Sequence, residues 1–308
     1  MRKLISIVSW TVGILVGFIL VLVASIVVDR ARSVGTVDTL TNTIIPNGNN
    51  PAVRAYVVKP DGDGPFPVVI MVHEWWGLKE EMIGKADELA KDGYVVIAPD
   101  VFRGNSTSWM PTAIYQVSST KPAQIDSDLD SVMQWVSTQS YADNKQIAIM
   151  GFCFGGGTAL RYAVETPSIK ATAIFYGAVI SDPAVLKSLN GPVLGIFGAN
   201  DTMIPVSEPA ALEAGLTAAG IPNEITVYPG EGHAFVTSVA EIRKGGNQGK
   251  AWQQLRSFLA ASFSAQGYTR IQTVGMRQQV DSPRSWTVNR LVHLFVCNQT
   301  TNQSAFQR

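Results

Sequence analysis

The sequence predicts an α/β fold, a mostly parallel sheet with helices on both faces, preceded by one transmembrane helix. Three observations carry this reading. Solidly apolar runs such as 68–72 and 193–197 fit strands buried on both faces. Amphipathic stretches such as 80–92 alternate with them, as parallel crossovers require. A 25-residue stretch without charge, 4–28, stands ahead of both patterns.

Residues 1–33 read as a membrane anchor with its flanks. As a helix the apolar stretch would be about 37 Å long against a hydrocarbon core of about 30 Å, so it spans with some tilt. A cleaved signal peptide is the competing reading, and Ala31-Arg32-Ser33 resembles a cleavage site. Its apolar region, however, usually runs to only about 7–15 residues. Arg2, Lys3 and the α-amine precede the stretch, while Arg30 and Arg32 follow it. Positive charge thus favours an inside N-terminus by one charge and an extracytoplasmic globule. Residues 34–50, polar and holding Asn-Gly and Asn-Asn, read as a linker.

A globular domain is expected over 51–267. Residues 53–58 form a first strand and 68–72 a second, followed by a helix over 80–92 and a strand over 94–98. A helix over 125–138 carries Asp126, Asp128 and Asp130 on its first turns, where they suit the macrodipole. Strand 147–150 leads into helix 156–164, and 171–175 and 193–197 are further buried strands. Helix 207–219, strand 224–228 and helix 250–264 complete the domain.

The 308 residues carry 24 basic and 24 acidic side chains, and the formal charge is zero. That zero combines +3 in 1–33, −7 in 34–267 and +4 in 268–308. Such a chain has no electrostatic footprint for nucleic acid. Its two cysteines, Cys153 and Cys297, exclude a disulfide-stapled module and a multi-cysteine zinc site. Neither a metal nor a cofactor is expected, and the sequence names no protein partner.

Chemistry concentrates just after the strands, where open α/β sheets hold their ligands. Residues 151–157, Gly-Phe-Cys-Phe-Gly-Gly-Gly, join a strand directly to a helix. This is the G-x-nucleophile-x-G elbow, with Cys153 as the nucleophile and the positive end of a helix beside its sulfur. The expected order continues with an acid and then a histidine. Asp201 follows strand 193–197 and His233 follows strand 224–228. His233 would be the general base, and Asp201 would fix its tautomer. His73, Glu74, Trp75, Trp76 and Gly77 follow strand 68–72, where such folds supply an oxyanion donor. The N–H groups of Trp75 and Phe154 are the candidate donors, and Glu74 would enter the same pocket. A plain surface loop remains open for Glu74, a capping role for Asp201 and a solvated loop for His233.

Taken together these residues resemble the dienelactone hydrolase family, a cysteine branch of the α/β-hydrolases. The resemblance covers roughly 51–265 and rests on HEWWG at 73–77, APD at 98–100, GFCFGG at 151–156, the aspartate of FGANDTMIP, and GEGHAF at 230–235. It implies an α/β-hydrolase fold and hydrolysis of an enol-lactone or related ester through an acyl-thioester on Cys153. It also implies that Glu74 holds the thiol protonated at rest and yields when substrate binds. Dienelactone-specific members grip a substrate carboxylate with arginines, one shortly after the histidine. Here Ala-Phe-Val-Thr follows His233, and no arginine appears until Arg243. Arg103 is the remaining candidate grip, and Trp76 and Phe235 are candidate substrate contacts.

The leading expectation is a membrane-anchored hydrolase of lactones or small carboxylic esters. A broader carboxylesterase or thioesterase on the same scaffold is the nearest alternative, and a non-catalytic thiol sensor a more distant one. Residues 268–308 read as a poorly ordered C-terminal extension with six glutamines, two Asn-x-Ser/Thr sequons, and His293 and Cys297 four apart.

Overall fold

The protein is described from a computed structural model covering residues 2–33 and 35–264. The extension 268–308, with His293, Cys297 and both sequons, lies outside the described residues.

Helix α1 (Arg2–Ser33) comes first and is followed by the short α2 (Thr36–Leu40), β1 (Thr43–Asn47), β2 (Asn50–Val58) and β3 (Phe66–Val72). Next are α3 (Glu80–Lys91), β4 (Val95–Pro99), α4 (Met110–Ser119), α5 (Pro122–Val136) and β5 (Ala142–Phe152). Then follow α6 (Phe154–Glu165), β6 (Ile169–Phe175), α7 (Pro183–Leu186), β7 (Val193–Gly198) and α8 (Ser207–Ala218). The order ends with β8 (Asn223–Tyr228), α9 (Val239–Lys244) and α10 (Gly246–Phe263). By length and composition, α1 is the one helix among the described residues able to cross a membrane.

The eight strands form one sheet in the order β1-β2-β4-β3-β5-β6-β7-β8. Strand β2 pairs antiparallel with β1 and β4, and every later pairing is parallel. This is the α/β-hydrolase architecture. Period-two alternation sends Val68, Ile70 and Val72 of β3 to one core and Val69 and Met71 to the other. Ile125, Leu129 and Val132 of α5, with Leu160 of α6 and Leu212 of α8, cover the first face. Met82 and Leu89 of α3, with Trp252, Leu255 and Phe258 of α10, cover the second. Both faces are apolar because both are roofed, which is why the central strands read as unbroken hydrophobic runs.

The structure departs from the expected outline in two ways. Part of the expected linker 34–50 is ordered: α2 and β1 fall within it, and β1 adds an antiparallel edge to β2. Only Ile45 and Asn47 of β1 are buried, and Pro46 fits an edge strand, so five residues carried too little pattern to announce it. The second is three helices outside the expected elements: α4, which carries no charge to mark an exposed face, and the short α7 and α9.

Strand β1 is locked to α5 by polar groups. Asn47 donates to Asp128 at 2.7 Å and accepts from Ser131 at 2.8 Å. Asp128, fully buried, also accepts from Arg103 at two points, 2.8 and 3.2 Å. Removing this carboxylate leaves a cation and an amide without their acceptor. Asp128→Ala is expected to destabilise the domain by about 2 kcal/mol or more, read as a fall in the urea unfolding midpoint.

Candidate active site

Strand β5 ends where the backbone must turn abruptly into α6. Cys153 makes that turn at φ 52°, ψ −116°, a left-handed conformation that ordinary side chains avoid. Small neighbours make room. A Cβ on Gly151 would strike the Gly155 carbonyl, and one on Gly155 would strike the carbonyls of Val72 and His73. The amide of Cys153 donates to Phe175 O of β6 at 2.9 Å, pinning the elbow to the neighbouring strand.

The loops after β7 and β8 bring the other two groups to the sulfur. They are tied together by Ala199 N donating to Tyr228 O at 2.9 Å and Asn200 N donating to Glu231 O at 2.8 Å. Asp201 is buried, and one carboxylate oxygen accepts from the amides of Met203 and Ile204 at 2.7 and 2.9 Å. Its other oxygen lies 2.7 Å from His233 Nδ1, so that nitrogen carries a proton and donates. His233 Nε2 then lies 3.1 Å from Cys153 Sγ. Burial alone would lower the pKa of His233. Hydrogen bonds to Asp201 and to Cys153, with the negative charges of carboxylate and thiolate, raise it from 6.5 to about 10, the value for the imidazolium paired with the thiolate.

Glu74 lies partly buried on the loop after β3. Burial raises its pKa, against the lowering effect of Lys85, His233 and Tyr176. His73, fully buried, is a structural residue. Its Nδ1 donates to Glu74 O at 2.7 Å, and its Nε2 accepts from Val101 N at 3.3 Å. Burial holds its pKa down at about 4, so it remains neutral.

Of the expected substrate contacts, Trp76 stacks edge to face on Trp75 with centroids 5.0 Å apart. Phe235 is buried against Tyr176 and Tyr228. Arg103 is held in its two-point pair with Asp128. Arg243 pairs with Glu88 at 2.6 Å.

Two residues at the site had no signal in the sequence. Tyr176 follows β6 at φ 41°, with its ring 5.4 Å from the His233 ring and its hydroxyl donating to Val236 O at 3.3 Å. Lys85 of α3 is buried, donates to Thr237 O at 2.8 Å, and sits 4.8 Å above the Phe152 ring. It is the main positive charge opposing burial of Glu74. Only contacts made in three dimensions distinguish it from an ordinary amphipathic-helix lysine.

Fold and geometry define an α/β-hydrolase whose elbow carries cysteine. The dienelactone hydrolase family model matches residues 53–263, and the chain belongs to that family. It is 33% identical over 235 residues to a protein of Salmonella typhimurium named "Putative carboxymethylenebutenolidase", covering 71% of this chain and 86% of that one. An Escherichia coli K12 protein of the same name is 33% identical, covering 69% and 83%. A Klebsiella pneumoniae crystal structure named "Putative Dienelactone Hydrolase" superposes with a TM-score of 0.63 at 30% identity, covering 71% of this chain and 99% of that one.

Two outcomes follow from these charges. The raised pKa of His233 adds stability that is fully present below about 6.5 and is lost as pH rises through about 10. The stability difference between wild type and His233→Gln, from urea unfolding across pH 6–10.5, is therefore expected to shrink over that window. Lys85→Met is expected to leave more of Glu74 protonated at neutral pH, seen as a stronger infrared band of protonated carboxyl, while Lys85→Arg is not.

Proposed function

We propose that this chain is a membrane-anchored cysteine hydrolase of lactones or small carboxylic esters. The Asp201–His233–Cys153 hydrogen-bonded series at the elbow carries this reading. In the reaction, the Cys153 thiol proton passes to His233 Nε2 and the sulfur attacks the substrate carbonyl carbon. Asp201 holds the imidazole in the required tautomer and steadies the imidazolium. The backbone contact between the His73 loop and Gly155 supports a role for the Trp75 and Phe154 amides as donors to the oxyanion. Collapse breaks the C–O bond, and His233 returns its proton to the leaving oxygen. Water then attacks the thioester with His233 as base, releasing the acid and restoring the thiol. As the family resemblance implies, Glu74, whose pKa burial raises, is the group that keeps the thiol protonated until substrate enters.

The candidate grip Arg103 is engaged by Asp128, and Arg243, the next arginine after His233, by Glu88. This favours a neutral ester or lactone over an anionic dienelactone, and so favours the broader carboxylesterase reading. The anchor reading rests on α1, whose apolar side chains from Trp10 onward are largely exposed. Its flanking charges favour the extracytoplasmic side for the domain by a single charge.

Cys153→Ala and His233→Ala, each folding normally, are expected to lose at least about 10³-fold in kcat/KM on a neutral aryl ester. Wild type quenched during turnover of a slow ester is expected to gain the acyl mass on Cys153. Unchanged rates in Cys153→Ala would overturn the mechanism. A strong preference for dienelactone over neutral aryl esters would overturn the neutral-substrate reading.

A further inference from the structure

Outside α1, the exposed large apolar side chains among the described residues are Ile44, Trp109, Met110, Tyr115 and Val206. Three of these five fall on α4 and the residue before it: Trp109 is 48% exposed, Met110 55% and Tyr115 43%. They lie in the uncharged stretch 104–120, bounded by Arg103 and Lys121. A stretch so free of charge is unusual on the surface of an acidic domain, and clustered exposed apolar groups mark a contact surface.

The same stretch sits against the carboxyl-terminal end of α1. Trp109 Nε1 donates to Ser25 Oγ at 3.2 Å, and Thr107 Oγ1 donates to Asp29 at 2.6 Å. Arg30 donates to Asn105 at 2.8 Å and lies 5.3 Å from the Tyr115 ring centroid. Ser25 belongs to the apolar run, whereas Asp29 and Arg30 are its first charged residues. Four residues of helix span about 6 Å, so the Trp109 indole lies about one turn inside the boundary. Indole and phenol rings favour that depth, with an apolar body in lipid and a polar tip near headgroups.

The stretch is also joined to the active-site loop. Thr107 N donates to Trp76 O at 2.8 Å, and the Gln116 side-chain amide donates to Trp75 O. Gly77 packs so closely on Asn105 and Ser106 that a Cβ there would collide with their backbone.

We propose that residues 105–119 seat on the lipid surface beside the anchor, with Trp109, Met110 and Tyr115 in the headgroup–acyl boundary. The substrate class is then an ester dissolved in the bilayer, reaching the site past the Trp75–Trp76 edge. This rests on the anchored-hydrolase reading above. A lipid surface is the occupant because the patch continues directly from the apolar helix and carries no charge to repel it.

The test uses the full chain in phosphatidylcholine vesicles. Wild type is compared with Trp109→Ser/Met110→Ser/Tyr115→Ser on a short water-soluble aryl ester and on a long-chain aryl ester dissolved in the vesicles. The triple variant is expected to keep the soluble-ester rate within about twofold and to lose about tenfold on the vesicle ester, the order set by the apolar area withdrawn from lipid. Independently, lipids brominated near the headgroup are expected to quench wild-type fluorescence more than that of Trp109→Phe. Equal vesicle-ester rates and equal quenching overturn the proposal. So does a wild-type dimer in detergent that the triple variant loses, which would make the patch a contact between copies. A full chain that fails to float with vesicles sinks the anchor reading and this proposal with it. A chain that floats but hydrolyses neither ester sinks the hydrolase reading alone, and the quenching comparison then decides the seating.

Discussion

The abrupt turn at Cys153 is the constraint around which the site is arranged. A left-handed cysteine between a central strand and a helix is costly in backbone energy, and several independent contacts hold it. Gly151 and Gly155 remove the side chains that would collide, and the Cys153 amide is held by Phe175 of the next strand. Because the elbow is built into the middle of the sheet, its sulfur inherits the rigidity of two roofed faces. The loops of Asp201 and His233 need only be fixed to each other, which two backbone hydrogen bonds after β7 and β8 accomplish.

Charge around the sulfur is balanced by burial rather than by solvent. His233 faces a buried carboxylate on one side and the thiol on the other, which raises its pKa despite partial desolvation. Burial instead favours the uncharged form of Glu74, raising its pKa, and buried Lys85 offsets part of that rise. Tyr176 packs against His233, and burial keeps its hydroxyl protonated. In the proposed reaction these opposed environments give two ionisable groups near one sulfur different tasks.

His73 and His233 show how alike sequence positions acquire unlike surroundings. Each follows a strand on a loop at the same sheet edge. His73 has both ring nitrogens engaged by backbone groups and is fully buried, so it is a brace between the loops after β3 and β4. His233 has one nitrogen on a carboxylate and the other on sulfur, the arrangement on which the proposed proton transfer rests.

Much of the fold was legible because its signals are local. Strands buried on both faces announce themselves as apolar runs, and the elbow as glycines around Cys153. Asp201 and His233 could be named because strand-end position and order are properties of the chain alone. The edge strand β1 was too short to announce itself, and helix α4 lacked the charged face that marks a surface helix. The partners of Arg103, Lys85 and Tyr176 were beyond reach for a different reason. Lys85 meets the carbonyl of Thr237 across 152 residues, a pairing that no local pattern encodes. Likewise, only folding decides that Arg103 faces Asp128 rather than a substrate. The sequence by itself determined which residues stand at the strand ends. The tertiary structure decided which of them meet, because burial and hydrogen bonding between distant segments exist only once the sheet has assembled.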